Sequence, residues 1–548
     1  MKKNIFKILS IIQVLLITLI ACNDEFLDKK PIDTLVTGNF YKTSEGIQMA
    51  ANAMYSPMGE EGFNGKTIWM IGDGAADDAQ PNGVDPDYIP IDEFSLSSDN
   101  PRNADLWQII YRMITLTNTV LENIEGNSAG QDILDQAQGE ALALRAYGYF
   151  TLVRLYSDVP LILDGMTPEE LLAPSRTPAN EIFEKIIEDL ELASELLSTK
   201  SENKARGDDG RLNKNAARGL LAKVYMTIAG DLTMYTTEEY PDNSTQIRAI
   251  ADQTTCYTEA LNLCNEIISS GEDSLLTDFG KLWTREGDNC AESIWQLQFI
   301  GCGQRHGSGN MMNAFWAPWE SGITAAGDGW GTHSPTKELA ACFYPDPDDL
   351  LSAITGNSVD TSIVDPPNDL RFYHTLLFPG VEHNELPVPD PNNTEVEIPY
   401  ALSMGYGKSG FACKKYVIGK GDDVCSMKAP NNVYILRYAD ILLLKAEILN
   451  EQGNPAEAAP VIDKIRLRAG LPVISPSLSQ DQMRDAIRLE RRRELALEQK
   501  RWFDILRWGI AEEVLADQGI TLPTERRLFP IPNTEISVNK NLTQNVSY

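Results

Sequence analysis

Three glutamates near the C-terminus have a spacing that could serve acid–base chemistry. Glu490, Glu494 and Glu498 recur at intervals of four residues, so a helix would place them on one face. Glycoside hydrolysis uses two carboxyls about 5–10 Å apart across a cleft. Leucines and arginines are interleaved with these glutamates, and we favour an ion-pair network that holds helices together. Arg437 and Asp440, three residues apart, are interpreted in the same way.

Tryptophans in loop-like sequence offer a different chemistry, the stacking of sugar rings. Three of the nine tryptophans lie in a segment rich in Gly and Pro, and another precedes a segment rich in Gly and Asp. The C–H faces of sugars stack on indole while carboxylates bind hydroxyls, a combination typical of recognition sites. The predicted ligand-binding residues are Trp69, Asp73, Asp77, Trp316, Trp319 and Trp330. The alternative is that each tryptophan anchors its own loop.

Metal sites are not indicated. Two acidic clusters could offer oxygen ligands to calcium, but neither has the glycine and distal glutamate of an EF-hand, so solvated acidic loops are the preferred interpretation. The clusters are Asp346, Asp348 and Asp349, and Asp73, Asp77 and Asp78. The chain has only four histidines, and no Cys/His cluster shows zinc spacing. We therefore predict neither a metal nor a cofactor.

Most of the cysteines are expected to be buried packing residues. Cys256 and Cys264 would lie about 12 Å apart on one helix, too far for a disulfide. A bridge between Cys413 and Cys425 stays open as an alternative.

The N-terminus predicts an exported, lipid-anchored protein. Three lysines precede an apolar run at residues 8–21, which is too short to span a membrane but suits a secretory signal. The run ends Leu-Ile-Ala before Cys22, which resembles a bacterial lipobox in which that cysteine is lipidated. We predict a signal peptide over residues 1–21 and lipid attachment at Cys22; the alternative is an ordinary signal peptide with a coincidental cysteine. Lipid chains hold a soluble domain at a bilayer without a spanning helix.

Composition excludes several function classes. The 548 residues include 79 acidic and 47 basic side chains, for a formal net charge of −32. Such acidity argues against a nucleic-acid binder, because phosphate binding needs a positive surface. Apolar residues at 43% and charged residues at 23% are typical of a globular protein.

Apolar residues recur at helical spacing in both ends of the chain. Asn180 is the expected N-cap of one of these helices, after Pro178. The predicted helices cover residues 103–124, 140–156, 180–197, 213–228, 256–268, 434–449, 455–469 and 479–500. Paired helices of this length suggest a solenoid of tetratricopeptide type, although no strict 34-residue period is present.

The middle of the chain has a different character. Residues 288–410 are rich in Gly, Pro, Asp and Asn, and only residues 293–299 alternate like a strand. We predict an all-α fold with a tetratricopeptide-like helix-pair scaffold, a large loop-rich insertion and a few short strands. A single domain over residues 22–548 would have its scaffold at about 22–285 and 430–548 and its ligand side at about 286–429.

Several sequence blocks occur in an order that points to one family. In chain order they are Cys-Asn-Asp-Glu-Phe-Leu at 22–27, Leu-Arg-Ala-Tyr at 144–147, Tyr-Ser-Asp-Val-Pro-Leu at 156–161, Gly-Arg-Leu-Asn at 210–213, Arg-Tyr-Ala-Asp-Ile-Leu-Leu at 437–443, Arg-Leu-Arg-Ala-Gly-Leu-Pro at 466–472, Glu-Arg-Arg-Arg-Glu-Leu at 490–495, Arg-Trp-Phe-Asp at 501–504 and Phe-Pro-Ile-Pro at 529–532. They resemble the SusD/RagB family of outer-membrane nutrient-binding lipoproteins. Ser157 departs from the family pattern, which usually has Gly there, and the ligand loops match no motif.

The resemblance implies a function and a place in the cell. Members are all-helical, non-catalytic lipoproteins on the outer membrane that face the cell exterior. They act as lids over a SusC-like TonB-dependent transporter, to which they deliver captured glycans or, in some members, peptides. The leading hypothesis is therefore a glycan-binding surface lipoprotein. A peptide-binding RagB-like member, a lid with no ligand of its own and a glycoside hydrolase are the alternatives.

Overall fold

A computed structural model describes residues 40–83, 85–300, 309–317, 329–355, 358–359, 367–377, 409–417 and 428–548. Helices dominate these residues, as predicted, and strands are short and few. The prediction of an all-α fold is confirmed. Among the described residues, no helix combines the length and the apolar character that crossing a bilayer requires.

Nine helices of twelve or more residues carry the described architecture. In chain order they are α1 (Ser44–Tyr55), α2 (Pro101–Glu122), α3 (Gln131–Tyr156), α4 (Ala179–Leu196), α5 (Lys214–Ala229), α6 (Gln253–Ser270), α7 (Tyr438–Glu451), α8 (Pro455–Arg468) and α9 (Gln480–Glu494). Shorter α-helices cover Thr67–Gly72, Ile89–Asp92, Pro168–Leu172, Lys200–Ala205, Asn243–Ile250, Met312–Trp316, Lys337–Ala341, Pro347–Ala353, Arg371–Thr375, Arg501–Arg507, Ala511–Ala516 and Asn533–Val538. Single 3₁₀ or π turns occur at Ser56–Gly59, Glu61–Gly65, Thr233–Tyr235, Gly280–Trp283, Arg285–Gly287 and Thr524–Arg527.

The long helices pack as neighbours in chain order. Helix α3 packs between α2 and α4, α4 also packs on α5, and α5 packs on α6. Helix α6 then packs on α7, although about 170 residues separate them in the sequence. Helices α8 and α9 pack on α7 and on each other. The two helical parts of the chain therefore form one continuous stack.

The short strands form antiparallel pairs, and most of these pairs join segments that are distant in the sequence. β2 (Ser293–Leu297) pairs with β8 (Val433–Arg437) and ties the start of the middle region to the start of α7. The remaining pairs are β1 (Ala79–Pro81) with β3 (His333–Pro335), β4 (Ile354–Thr355) with β5 (Ser358–Val359), and β6 (Leu376–Leu377) with β7 (Ala412–Cys413).

The structure corrects three predicted helix boundaries. Residues 434–437, predicted as helix, belong to β8, because Tyr434 and its neighbours complete a ladder with β2. Helix α9 ends at Glu494 and not at residue 500, since Leu497 and Gln499 have left-handed φ values of 59° and 65°. Asn180 lies inside α4, whose N-cap is Pro178.

Candidate functional site

An open cleft of about 1360 Å³ lies among the described residues. Its walls come from the end of α1 with the turns that follow, the first half of α2, the loop before α5 and the end of β2. Ligand pockets in proteins usually measure about 300–1,000 Å³, so this cleft has room for several sugar units.

One wall is a single face of α2. Asp105, Gln108, Ile109 and Arg112 recur at helical spacing and all line the cleft. Asn100 fixes the start of this helix, because its side chain accepts hydrogen bonds from the two backbone N–H groups of residues 102 and 103 at 3.0 and 3.2 Å. The wall thus offers carboxylate, amide and guanidinium groups around one aliphatic side chain.

The end of β2 contributes the apolar surface of the cleft. Phe299 is half-buried, and Ile300 is 50% exposed. The backbone N–H of Phe299 donates to Asn432 Oδ1 at 2.8 Å, and its ring lies close to Gly59, where an added Cβ would be 3.6 Å from it. Phe299 and Ile300 together form an apolar surface that suits the C–H face of a sugar.

An amide network holds the residue before this pair. Asn432 and Asn289 each donate to Gln298 Oε1 at 2.9 Å, and Gln298 Nε2 donates to Asn289 Oδ1 at 3.0 Å. Gly210, with φ of 91°, lies so close to Gln298 that a Cβ would come within 2.4 Å of its side chain. The position of Gln298 is therefore fixed before any ligand arrives.

The opposite wall is built on Arg211. Its guanidinium donates to both carboxylate oxygens of Glu140 at 2.7 and 2.6 Å and to Asn52 Oδ1 at 2.5 Å. Tyr55 lies beside it, and its hydroxyl accepts a hydrogen bond from Leu212 N at 3.2 Å. Burial, followed by the charge of Glu140, raises the pKa of Tyr55 well above its usual value, so this hydroxyl stays protonated.

The formal charges of the cleft lining sum to zero. Three arginines and one lysine are matched by four acidic residues, Glu60, Glu61, Asp105 and Asp209. The whole chain, by contrast, has a formal net charge of −32. Amides, paired charges and a small apolar surface are the groups that bind the hydroxyls and C–H faces of carbohydrate.

The predicted ligand-binding residues that the structure describes lie outside this cleft. Trp69 is fully buried, where its Nε1 donates to the Asn64 carbonyl at 2.8 Å and its ring packs edge-on against Tyr416. Asp73 is also fully buried and accepts a hydrogen bond from Gln499 N at 3.0 Å. Burial raises the pKa of Asp73 well above its usual range. Neither side chain lines the cleft.

The other predicted residues have structural surroundings too. Asp77 is buried and accepts both Arg501 hydrogen bonds at 2.6 and 2.9 Å. Trp316 is 1% exposed, and Trp330 is half-buried against Phe315, with ring centroids 5.3 Å apart. Trp319 lies outside the described residues. The placement of these side chains thus gives no support to the ligand contacts predicted for them.

A series of ring contacts links the buried Trp316 to Arg102, a residue of the cleft lining. Trp316 packs on His333 with centroids 6.4 Å apart, and His333 packs on Tyr88 at 6.1 Å. The guanidinium of Arg102, which lines the cleft, lies over the Tyr88 ring at 5.5 Å. In the described structure Trp316 is therefore a buried packing residue.

The C-terminal glutamates form a buried ion-pair network. Arg371 Nη1 lies 2.7 Å from Glu490 and 3.0 Å from Glu494, and Arg437 Nε lies 2.8 Å from Glu498. All five side chains are at most 1% exposed. The preferred ion-pair interpretation is confirmed, with one correction: Glu498 lies beyond the end of α9 and not on the same helix.

Electrostatics argue against acid catalysis by this network. Burial alone would raise the pKa of the Glu494 carboxyl, but the Arg468 and Arg437 guanidiniums outweigh burial and hold that pKa well below its usual range. The pKa of Glu498 is lowered in the same way by Arg437 and Lys415. A catalytic general acid needs a raised pKa, so these carboxylates are unsuited to that role.

Metal and thiol chemistry has no support among the described residues. No group of three or more His, Cys, Asp or Glu side chains there could hold a metal ion. Asp346, Asp348 and Asp349 are exposed, although the last two begin the helix Pro347–Ala353. The solvated-loop interpretation is wrong for the other acidic cluster, because Asp73, Asp77 and Asp78 are buried. Cys256, Cys264, Cys342 and Cys413 are buried free thiols and Cys290 is half-buried, while Cys425 lies outside the described residues.

Sequence reasoning missed the residues that line the cleft because they come from distant segments. The alternating pattern at residues 293–299 did identify β2, but Phe299, which follows the strand, was treated as part of it. Asp105, Gln108 and Arg112 share one polar face of a predicted helix, which is also what any solvated helix shows.

Comparisons with known proteins agree over nearly the whole chain. A family model described as "SusD family" matches residues 291–548, and one described as "Starch-binding associating with outer membrane" matches residues 25–226. SusD-like protein P2 of Formosa agariphila is 28% identical over 552 residues, which cover 97% of each chain.

Solved structures share the fold. A laminarin-binding SusD-like protein is 24% identical with a TM-score of 0.70, covering 93% of this chain and all of the other. Surface glycan-binding protein A from Bacteroides thetaiotaomicron, solved with laminarihexaose, is 22% identical with a TM-score of 0.68, covering 92% of this chain and 99% of the other. Their similarity to this chain establishes the helical architecture.

Proposed function

Since this chain belongs to the SusD family, we propose that it is a non-catalytic surface protein that captures glycans in the cleft between α2 and the end of β2. The observation that carries this proposal is the lining of that cleft. It combines the half-buried Phe299 and the exposed Ile300 with amides held in place by hydrogen bonds and with formal charges that sum to zero. Two structural neighbours whose names include laminarin or a laminari-oligosaccharide add support.

Glycan binding can be tested by replacing Phe299, the half-buried aromatic residue of the cleft. Phe299→Ala removes the apolar surface that a sugar would cover, so we expect affinity for a bound oligosaccharide to fall about tenfold. Isothermal titration calorimetry, guided by a glycan array, measures the change. Phe40→Ala, a half-buried phenylalanine outside the cleft, is the matched control. Equal affinity of Phe299→Ala and the parent protein would contradict this location.

The proposal includes an anchor and a partner. Lipidation of Cys22 would hold the protein on the outer face of the outer membrane, where a SusC-like TonB-dependent transporter receives the glycan. The family model that describes association with the outer membrane supports this location. Cys22→Ala should abolish labelling by a fatty acid and release the protein from membranes, while co-purification with a transporter tests the partnership.

Peptide capture is the competing function within the family. The net charge of the whole chain would suit basic peptides, but the formal charges of the cleft lining sum to zero. Binding of peptides by a protein that binds no oligosaccharide would replace our proposal with this one. Product formation from a glycan would contradict the non-catalytic part of the proposal.

A further inference from the structure

The three arginines that line the cleft are already engaged by carboxylates, and Lys428, the fourth cation of the lining, has an interaction of its own. Arg112 forms an ion pair with Glu60, and both side chains are about half exposed. Arg211 is held by the bidentate contact with Glu140, whose side chain is fully buried. A ligand anion would compete with the buried Glu140 for Arg211 and with Glu60 for one terminal nitrogen of Arg112.

Arg102 is engaged more heavily still. Its guanidinium nitrogens lie 3.2 Å from Asp85, 3.7 Å from Asp87 and 4.0 Å from Glu61. Lys66, a buried neighbour, adds a second cation to this group through Asp85 at 2.8 Å. Within the described residues, the guanidiniums on the cleft therefore present little uncompensated positive charge to a ligand.

Two carboxylates on the cleft have no such partner. Asp105 on α2 and Asp209 on the facing loop are exposed and line the cleft. In the part of the chain that the structure describes, neither forms an ion pair nor accepts a hydrogen bond. Each wall of the cleft therefore presents an exposed carboxylate without a described counter-ion, although the formal charges of the lining cancel.

We propose that Asp105 and Asp209 make the cleft selective for neutral glycans over glycans that carry carboxylate or sulfate groups. This inference rests on the proposed glycan-binding function. Hydroxyls of a neutral sugar donate hydrogen bonds to carboxylates, and bonds to a charged acceptor are the stronger kind. A uronate or sulfate ester would instead meet two negative charges and find each guanidinium occupied.

Matched pairs of ligands test this selectivity on the unmodified protein. Laminarihexaose, cellohexaose and maltohexaose would each be compared by calorimetry with the same oligosaccharide oxidised at C6 to carboxylates. For any pair that binds, we expect the neutral member to bind at least about tenfold more tightly at low salt, with a smaller ratio at high salt. Equal or tighter binding of the oxidised member would overturn the inference and leave glycan capture standing.

Charge-removing variants then locate the selectivity. Asp105→Asn and Asp209→Asn keep the side-chain shape. The double variant should bind the oxidised ligands severalfold more tightly, so the ratio of neutral to oxidised affinity should fall towards one. Asp517→Asn, an exposed aspartate outside the cleft, should leave the ratio unchanged. An unchanged ratio in the double variant would contradict the roles of Asp105 and Asp209. Failure of every neutral and oxidised ligand on a broad array would instead refute the proposed function, and the inference with it.

Discussion

At Arg437 a single guanidinium joins three carboxylates from two distant parts of the chain. Its nitrogens lie 2.9 Å from Glu292, 2.5 Å from Glu494 and 2.8 Å from Glu498. The interval between Arg437 and Asp440 suggested a local i, i+3 pair. The structure pairs Asp440 with Arg491 and Lys223 instead, because the fold brings those cations to it.

Removing this guanidinium should be strongly destabilising. Arg437→Met removes one cation from a buried cluster and leaves its three glutamates with only Arg371, Arg468 and Lys415, so the free energy of unfolding should fall by about 3–5 kcal/mol. Chemical denaturation measures this loss. Arg484→Met, which breaks a half-exposed pair with Glu451, is the control and should cost about 0–1 kcal/mol. Similar losses in the two variants would contradict the structural role of Arg437.

Lowering the pH should reduce the stability of the folded protein, because it protonates buried carboxylates that are paired with cations. The folded-state pKa values of Glu494, Glu498 and Asp504 are lowered, because nearby arginines outweigh the effect of burial. Their stabilisation is complete above about pH 4.3, the usual glutamate pKa, and is lost as pH falls through the folded-state values. The unfolding temperature should therefore change little from pH 7 to 5 and fall steeply below pH 4. A constant unfolding temperature from pH 5 to 3 would contradict this account.

At the scale of the element, apolar spacing located most long helices but not their ends. The segment after Glu494 keeps helical apolar spacing, yet the chain turns there. The Tyr416 hydroxyl donates to the Leu497 carbonyl at 2.8 Å, and Asp73 accepts from Gln499 N. Both partners lie far away in the sequence, so no local pattern could have shown where α9 ends.

Ser157 marks the end of α3 in a conformation that favours glycine. Its φ of 62° and ψ of −109° are costly for a residue with a Cβ, by about 1–3 kcal/mol. Ser157→Gly, the residue that the family resemblance suggested, should therefore stabilise the protein by about 1 kcal/mol. Ser56→Gly, at the end of α1 with an ordinary φ of −55°, should destabilise it by about 0.5–1 kcal/mol. Thermal unfolding compares the two, and a destabilised Ser157→Gly would contradict this assignment.

At the scale of the whole molecule, the fold was predictable from the sequence, whereas the cleft proposed as the binding site was not. Helical spacing and ordered sequence blocks were sufficient to predict an all-α scaffold. The cleft, however, combines residues 52–65, 102–112, 209–211 and 296–300, which only the packed helices and the β2–β8 pairing bring together. Tryptophans drew attention as large aromatic groups, but Trp69 and Trp316 are the kind of side chain whose burial stabilises a core.

A crystal structure with a bound oligosaccharide tests the central claim most directly. The ligand would be the oligosaccharide that binds most tightly on a glycan array. We predict that its sugar rings lie against Phe299 and Ile300, with hydroxyls on the α2 face that carries Asp105 and Gln108. An oligosaccharide bound outside this cleft, with these four side chains free of contact, would contradict the account.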